Sequence, residues 1–334
     1  MNHFDIIEGT GLLIGKTDSE VIELIFRPSV FHIAGKDCTK AVLVSALIHG
    51  HEVCGLRAIL AEVSGQREYP FDMYFFVGNV AAAKVKPVFS NRMVPGGQNF
   101  NRVWVDNPVT DLEKTAAGLF SFFKSLPLIG ILDLHSFTSH SSPKHAFVST
   151  ADENTLCIAK RLAPHVFVTD DMIGTMIEKT AGIAPSIVVE CGTNGTIDAD
   201  TYASKTLEIF FKLMGVIQGN APDAVCKREY RGLTNIKILQ EVSVSWADQR
   251  TGSNLTVRKD IESLNIKELS KNELFGWGDS LDVFSILTKN GKGKPEDFFE
   301  IKQNTIYIKK GFVPALLAAK ESISKESGFY LFKV

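Results

Sequence analysis

Four short, almost wholly apolar runs, 41–48, 73–78, 129–134 and 186–189, constrain the fold of this chain more than any other feature. Each is too short for a helix, and unbroken apolarity predicts strands covered on both faces, as in a parallel sheet. Longer stretches with helical spacing lie between and after them, at 52–65, 111–125, 152–163 and 198–215, with acidic residues in several first turns where the helix dipole favours them. Strand and helix in alternation specify an α/β sheet. Each apolar run then stops at a polar residue: His49, Asn79, His135 and Glu190. In open α/β sheets ligands bind beyond the carboxyl ends of the strands, so four strands are expected to deliver polar groups to one edge.

At 334 residues the chain exceeds what one hydrophobic core usually serves. Gly219, Asn220, Ala221 and Pro222 form a breaker cluster after the last long helical stretch, and the pattern changes beyond it to short β-like runs at 234–239, 242–246, 254–257, 281–287 and 305–308. The expected division is a catalytic domain over 1–217 and a smaller β-rich domain over 223–334.

The charge balance, 36 basic against 38 acidic residues, provides no field that would select nucleic acid. No apolar stretch approaches the roughly 20 residues a membrane helix needs. The first ten residues lack a secretory pattern, so a cytoplasmic location is the default expectation. Five cysteines without CxxC spacing argue against both a disulfide framework and a thiolate metal site. Whether the chain forms a homo-oligomer is left open by the sequence.

The chemistry begins with His49-Gly50-His51-Glu52, a histidine and a carboxylate three residues apart. The motif is weak alone, but a strand end followed by a helical first turn lets both groups converge on one ion. Asp133-Leu134-His135 brings a second histidine to another strand end, with Asp133 on the same strand face and able to orient the imidazole or to be satisfied by backbone. Two histidines and one carboxylate, with a position left open, is a composition of catalytic zinc. Glu190, at the end of a third strand and followed by Gly192, Asn194 and Gly195, is the candidate general base. In the long turn-rich segment 81–111, Asn101 and Arg102 suit a substrate carboxylate, since a guanidinium offers a rigid fork of donors.

Taken in order, IHGHE, QNFNR, LDLHS and VVECG resemble the succinylglutamate desuccinylase/aspartoacylase family of carboxypeptidase A-like zinc hydrolases, closely over 41–215 and loosely beyond. The resemblance implies a mixed, mostly parallel sheet flanked by helices, followed by a β-rich domain. It implies one zinc ion per chain and no other cofactor, with His49, Glu52 and His135 as ligands, Glu190 as general base, and Asn101 and Arg102 as substrate contacts. Tyr307 matches a stretch that contributes a tyrosine to the family's site.

Departures accompany the matches. Asn99-Phe100-Asn101-Arg102 stands where many members have Asp-Leu-Asn-Arg. Asn79 is followed by Val80 and Ala81, where the aspartoacylases carry an oxyanion-stabilising arginine, which makes Arg92 the nearest replacement. Lys179 and Thr180 stand where aspartoacylases place a further substrate-binding arginine, which argues against an acyl-aspartate substrate. His51, His140 and His145 read as satisfied or solvated imidazoles. The expected activity is hydrolysis of the amide bond of a small N-acyl amino acid. A zinc carboxypeptidase or peptide amidase acting on short peptides is the alternative, and a non-catalytic metal- or ligand-binding module is the alternative of another class.

Overall fold

The computed structural model describes residues 3–139, 143–169, 172–288 and 291–333. Two compact units result: Met1–Phe137 with Lys144–Val168 and Met172–Glu229, and Thr138–Pro143 with Thr169–Asp171 and Tyr230–Val334.

The first unit is built on strands β1 (Asp5–Glu8), β2 (Ser29–Ile33), β3 (Asp37–Ala46), β4 (Phe71–Val77), β5 (Leu128–Phe137), β6 (His145–Val148), β7 (His165–Val168) and β8 (Ser186–Thr193), with β9 (Arg228–Arg231) beginning at its last residues. Its helices are α1 (Asp18–Leu24), α2 (Cys54–Ser64), α3 (Val80–Lys84), α4 (Asp111–Ser125), α5 (Glu153–Leu162), α6 (Met176–Thr180) and α7 (Ile197–Met214). The strands form one mixed sheet in the order β1-β2-β4-β3-β5-β8-β6-β7-β9. The central four, β4-β3-β5-β8, are all parallel, while β2 and β6 pair antiparallel to β4 and β8.

Strand β3 shows why its run is apolar at every position but Ser45. Val42, Val44 and Ala46 face a core that includes residues of α2 and α7, whereas Ala41 and Leu43 face a second core with Ala116, Leu119 and Phe123 of α4. Alternate side chains of a strand point to opposite faces, so a doubly covered strand needs both sets apolar. Helix α4 covers the span expected of it, closed by a capping box in which Thr110 and Glu113 satisfy each other's backbone N–H groups. Both β5 and β8 continue beneath the polar residues expected to terminate them, because ladder hydrogen bonds are backbone bonds and tolerate a polar side chain that has partners. The short outer strands β1, β6 and β7, only four residues each, carried too little pattern to be read in advance.

The second unit is β-rich, as its pattern predicted. Strands β10 (Leu233–Ile238), β11 (Val244–Ala247), β12 (Leu255–Arg258), β13 (Leu274–Gly278), β14 (Phe284–Thr288), β15 (Gly291–Lys292), β16 (Phe299–Lys302), β17 (Thr305–Ile308), β18 (Val313–Ala315) and β19 (Phe329–Phe332) form two five-stranded sheets. They share a core that includes Phe275, Phe284, Phe299 and Phe329. Among the described residues no helix is long and apolar enough to cross a membrane.

Helix α2 seats its first turn on the sheet through Gly55, where an added Cβ would lie 2.8 Å from Leu134 Cβ and 3.0 Å from Ala46 Cβ. Gly55→Ala gains helix propensity of about 1 kcal/mol but overpacks this contact at a cost of about 1–3 kcal/mol. The expected net result is a lower urea midpoint for the first unit; an unchanged or higher midpoint would show that α2 is not seated through this glycine.

Candidate metal centre

The chain passes from β3 to β4 on one side and later to β5 on the other, so β3 and β5 flank the point where the crossovers diverge. That divergence opens a crevice at the carboxyl ends of the strands. After β3 the backbone turns at Leu47, whose φ of 58° lies in the left-handed region that leucine rarely occupies. Asn79 N–H donates to Leu47 O at 2.6 Å and Glu52 N–H to His49 O at 3.0 Å, which fixes the turn carrying both side chains. Gly50 lets this turn press on α3, since a Cβ there would sit 2.6 Å from Ala82 Cβ and from Ala83 N.

His49, Glu52 and His135 come together with their ligand-type atoms all within 4.8 Å of one another, each residue buried. Glu52 Oε1 lies 2.8 Å from His49 Nδ1, and Glu52 Oε2 lies 2.8 Å from His135 Nδ1. Arg92 Nη1 donates to Glu52 Oε1 at 3.0 Å, and Ser136 N–H donates to Oε2 at 3.3 Å. Two imidazoles thus present Nδ1 to one carboxylate. Neither ring nitrogen of His49 makes a hydrogen bond, despite the short approach to Glu52. Buried polar atoms are normally satisfied, so an orphaned imidazole beside a carboxylate fits a shared ion better than a structural ion pair. The donor set, two imidazole nitrogens and a carboxylate oxygen, suits a divalent metal.

The electrostatics agree with that reading. Burial, followed by the Arg92 charge, holds His49 well below its ordinary pKa and keeps it in the neutral form that can ligate. Burial works against the charge of Glu52, but its two imidazole neighbours outweigh it and hold the carboxylate ionised, the proton resting on His135 rather than on His49. Burial likewise opposes a charge on His135, yet Asp133 and Glu52 overcome it and raise its pKa well above the usual value. Without a metal, a proton on His135 neutralises the cluster.

Glu190 pairs in register with His135 on β5 and with His145 on β6, which puts the three side chains on one face of the sheet. Its Oε2 is buried without a hydrogen-bond partner. Burial first, with a smaller contribution from Glu52 and Asp133, pushes its pKa up to about 7 although His135 and Arg92 oppose the shift. The adjacent Cys191 points to the opposite face, into the core shared by α2 and α7.

The remaining sequence-derived candidates sit in different settings. Asn101 is buried, and its Oδ1 accepts from Met176 N–H at 3.0 Å, at the start of α6. Arg102 Nη1 donates to the Asn101 carbonyl at 2.6 Å. Lys179, on α6, forms an ion pair with Asp106. Asn79 caps α3 by accepting from Ala82 N–H at 3.2 Å. Tyr307 belongs to β17 of the second unit, its ring beneath Lys302 Nζ. His51 and His145 are buried rather than solvated, and His140 lies outside the described residues.

Asp133 takes the orienting role over the backbone-satisfied one: its Oδ2 lies 2.8 Å from His135 Nε2. Ser45 was not anticipated, although it is the single polar residue in the run 41–48 and its hydroxyl donates to Asp133 Oδ1 at 2.6 Å.

Comparison with known proteins agrees with the geometry. The profile of the succinylglutamate desuccinylase/aspartoacylase catalytic domain matches residues 38–217. The chain belongs to that family. The matched span holds His49, Glu52, His135 and Glu190 and ends just after α7. No curated protein matches the chain by sequence. Among solved structures, a succinylglutamate desuccinylase/aspartoacylase from Rhodobacter sphaeroides superposes with a TM-score of 0.59 at 16% identity, covering 91% of this chain and 88% of its own. A succinylglutamate desuccinylase from Vibrio parahaemolyticus gives 0.54 at 14% identity, with 83% and 89% covered. The ectoine utilization protein EutE (DoeB) from Ruegeria pomeroyi gives 0.51 at 14% identity, with 84% and 81% covered. At such identities the likeness establishes the fold, over 81–89% of the length of these three chains.

Two outcomes follow from the cluster. Elemental analysis should find about one divalent ion per chain in the wild type. Both His49→Ala and His135→Ala should lose it, and full occupancy in the two variants would remove the assignment. Because the pKa of His135 is raised in the metal-free protein, its imidazole is protonated at pH 7 and only the neutral form ligates. Titrating metal-free protein with zinc in weak buffer should therefore release about one proton per chain, and apparent affinity should fall as the pH drops. Uptake without proton release would contradict the charge state derived for His135.

Proposed function

We propose that this chain is a zinc-dependent hydrolase that cleaves the amide bond of a small N-acyl amino acid, with Glu190 as general base. The observation that carries the reading is the Glu190 carboxylate, buried without a partner for Oε2 and in register beside the candidate ligand His135. A binding module has no use for an expensive, unpaired carboxylate at that place, whereas a hydrolase needs a proton acceptor there.

His49, Glu52 and His135 would hold the zinc, which when bound supplies Lewis acidity toward a carbonyl oxygen and toward water. Glu190 takes the proton of the attacking water at its unpartnered oxygen and delivers it to the departing amide nitrogen. A basicity near neutrality suits both transfers. Arg92 is assigned to the developing negative charge on the carbonyl oxygen, its guanidinium already held beside the cluster by Glu52. Arg102 and Asn101 are assigned to the substrate carboxylate, Arg102 with its fork steadied on the Asn101 carbonyl. Tyr307 is retained as a substrate contact by family resemblance alone. Family membership supports hydrolytic deacylation; small N-acyl amino acids compared with short peptides would fix the substrate class.

Glu190→Gln preserves shape while removing the proton acceptor. Metal content and folding should be unchanged while kcat falls about 100-fold or more. Hydrolysis within a few-fold of wild type would mean that Glu190 is not the base. Arg102→Lys keeps the charge and loses the fork, so KM for carboxylate-bearing substrates should rise by an amount worth about 1.5–3 kcal/mol, a charge-assisted hydrogen bond. An undiminished preference for the acid over its carboxamide analogue would move the role away from Arg102.

A further inference from the structure

Ser45 is fully buried in β3, with both faces of the strand covered, where a hydroxyl is costly unless it is hydrogen-bonded. Its bond goes to Asp133, the residue in register with it on β5. Asp133 is itself 2% exposed, and among the described residues its two oxygens have one partner each: Oδ1 takes the Ser45 hydroxyl at 2.6 Å, and Oδ2 faces His135 Nε2 at 2.8 Å. His135 then turns Nδ1 toward Glu52 and the ligand cluster. Hydroxyl, carboxylate and imidazole therefore form one line across two adjacent strands, ending on a candidate ligand atom.

We propose that Ser45 is a positioning residue for the metal: by holding the Asp133 carboxylate in one rotamer it keeps the proton of His135 on Nε2 and leaves the Nδ1 lone pair aimed at the ion. The proposal rests on the metal reading above and adds to it a residue outside the ligand set. A buried carboxylate with one oxygen stripped of its donor can turn away from the imidazole. His135 is then free to rotate or to change tautomer, both of which weaken ligation.

The test uses the full chain and zinc as the probe, with affinity read by competition against a chelating dye and the coordination sphere read from the visible spectrum of the cobalt-substituted protein. Ser45→Ala removes one oxygen atom without adding bulk. It should weaken zinc binding about 10- to 100-fold, the usual effect of losing a group that orients a ligand. The cobalt spectrum should shift, the metal-free melting temperature should move little, and Ser45→Thr, which restores a hydroxyl, should recover affinity to within a few-fold. In an Asp133→Asn background Ser45→Ala should cause no further loss. If wild type binds zinc and Ser45→Ala binds it within about two-fold, or if the two changes weaken binding independently, the positioning role is overturned while the metal centre stands. If wild type takes up no zinc at all, the metal reading fails and this role with it.

Discussion

A buried carboxylate is the constraint on which the centre of this molecule depends. Glu52 is 2% exposed, and an ionised carboxylate taken out of water to that degree is sustained only by charge and hydrogen bonds around it. His135, Arg92 and the Ser136 N–H supply them, and His49 Nδ1 approaches Oε1 at 2.8 Å, so the surroundings of this one group come from three separate places in the chain. Each donor needs its own support. The His49 turn needs a left-handed Leu47 and a glycine at position 50, and His135 needs Asp133 behind it. Side chains from the turn after β3, from β5 and from the loop bearing Arg92 thus answer to one group, and displacing His135 or Arg92 leaves charge uncompensated in the interior.

The sheet makes such convergence affordable. Parallel strands β3, β5 and β8 run in one direction, so equivalent positions near their carboxyl ends fall in rows. Ser45 stands beside Asp133, and His135 stands beside Glu190 and then His145. Cross-strand neighbours on one face lie about 4.5–5.5 Å apart at Cβ, close enough for hydrogen-bonded chains to form without long side chains having to search. Glu190 is the exception within this order. Its row places it near the cluster, yet one oxygen has no partner, and the same burial that costs stability raises its pKa to about 7. In the proposed reaction that cost is what makes the group a base at neutral pH.

Much of this was legible in the residues themselves. Nearly continuous apolar runs identified the four central strands because burial on both faces favours apolar side chains, and two of the polar residues closing those runs, His49 and His135, stand in the cluster, whereas Asn79 caps α3. Helix α4 was readable to its ends from its helical spacing, and the structure adds the capping box of Thr110 and Glu113 that fixes its start. What escaped was set by pairing across strands. Nothing local to His145 says that a four-residue strand will bring it beside Glu190, and Ser45 looks like a tolerated small residue until Asp133 is placed opposite it. Asn101, proposed above as a substrate contact from its residue type, also has an unforeseen structural tie: its Oδ1 is engaged by the start of α6, 75 positions away along the chain.

An alternative account of the cluster, a buried ion-pair network that only stabilises the fold, makes a definite demand on its hydrogen bonds. Such networks persist when every member is satisfied, because each unsatisfied buried group costs about 1–3 kcal/mol. Here Asp133 and the two oxygens of Glu52 are well satisfied. The unsatisfied atoms are both ring nitrogens of His49 and Oε2 of Glu190. A network selected for stability alone would be improved by apolar residues at these positions, since replacing a partly satisfied polar cluster by packed hydrocarbon is often neutral or favourable. An imidazole with open lone pairs and a carboxylate with a displaced pKa fit the proposed reaction instead, in which an ion would use the first and the proton of the attacking water the second.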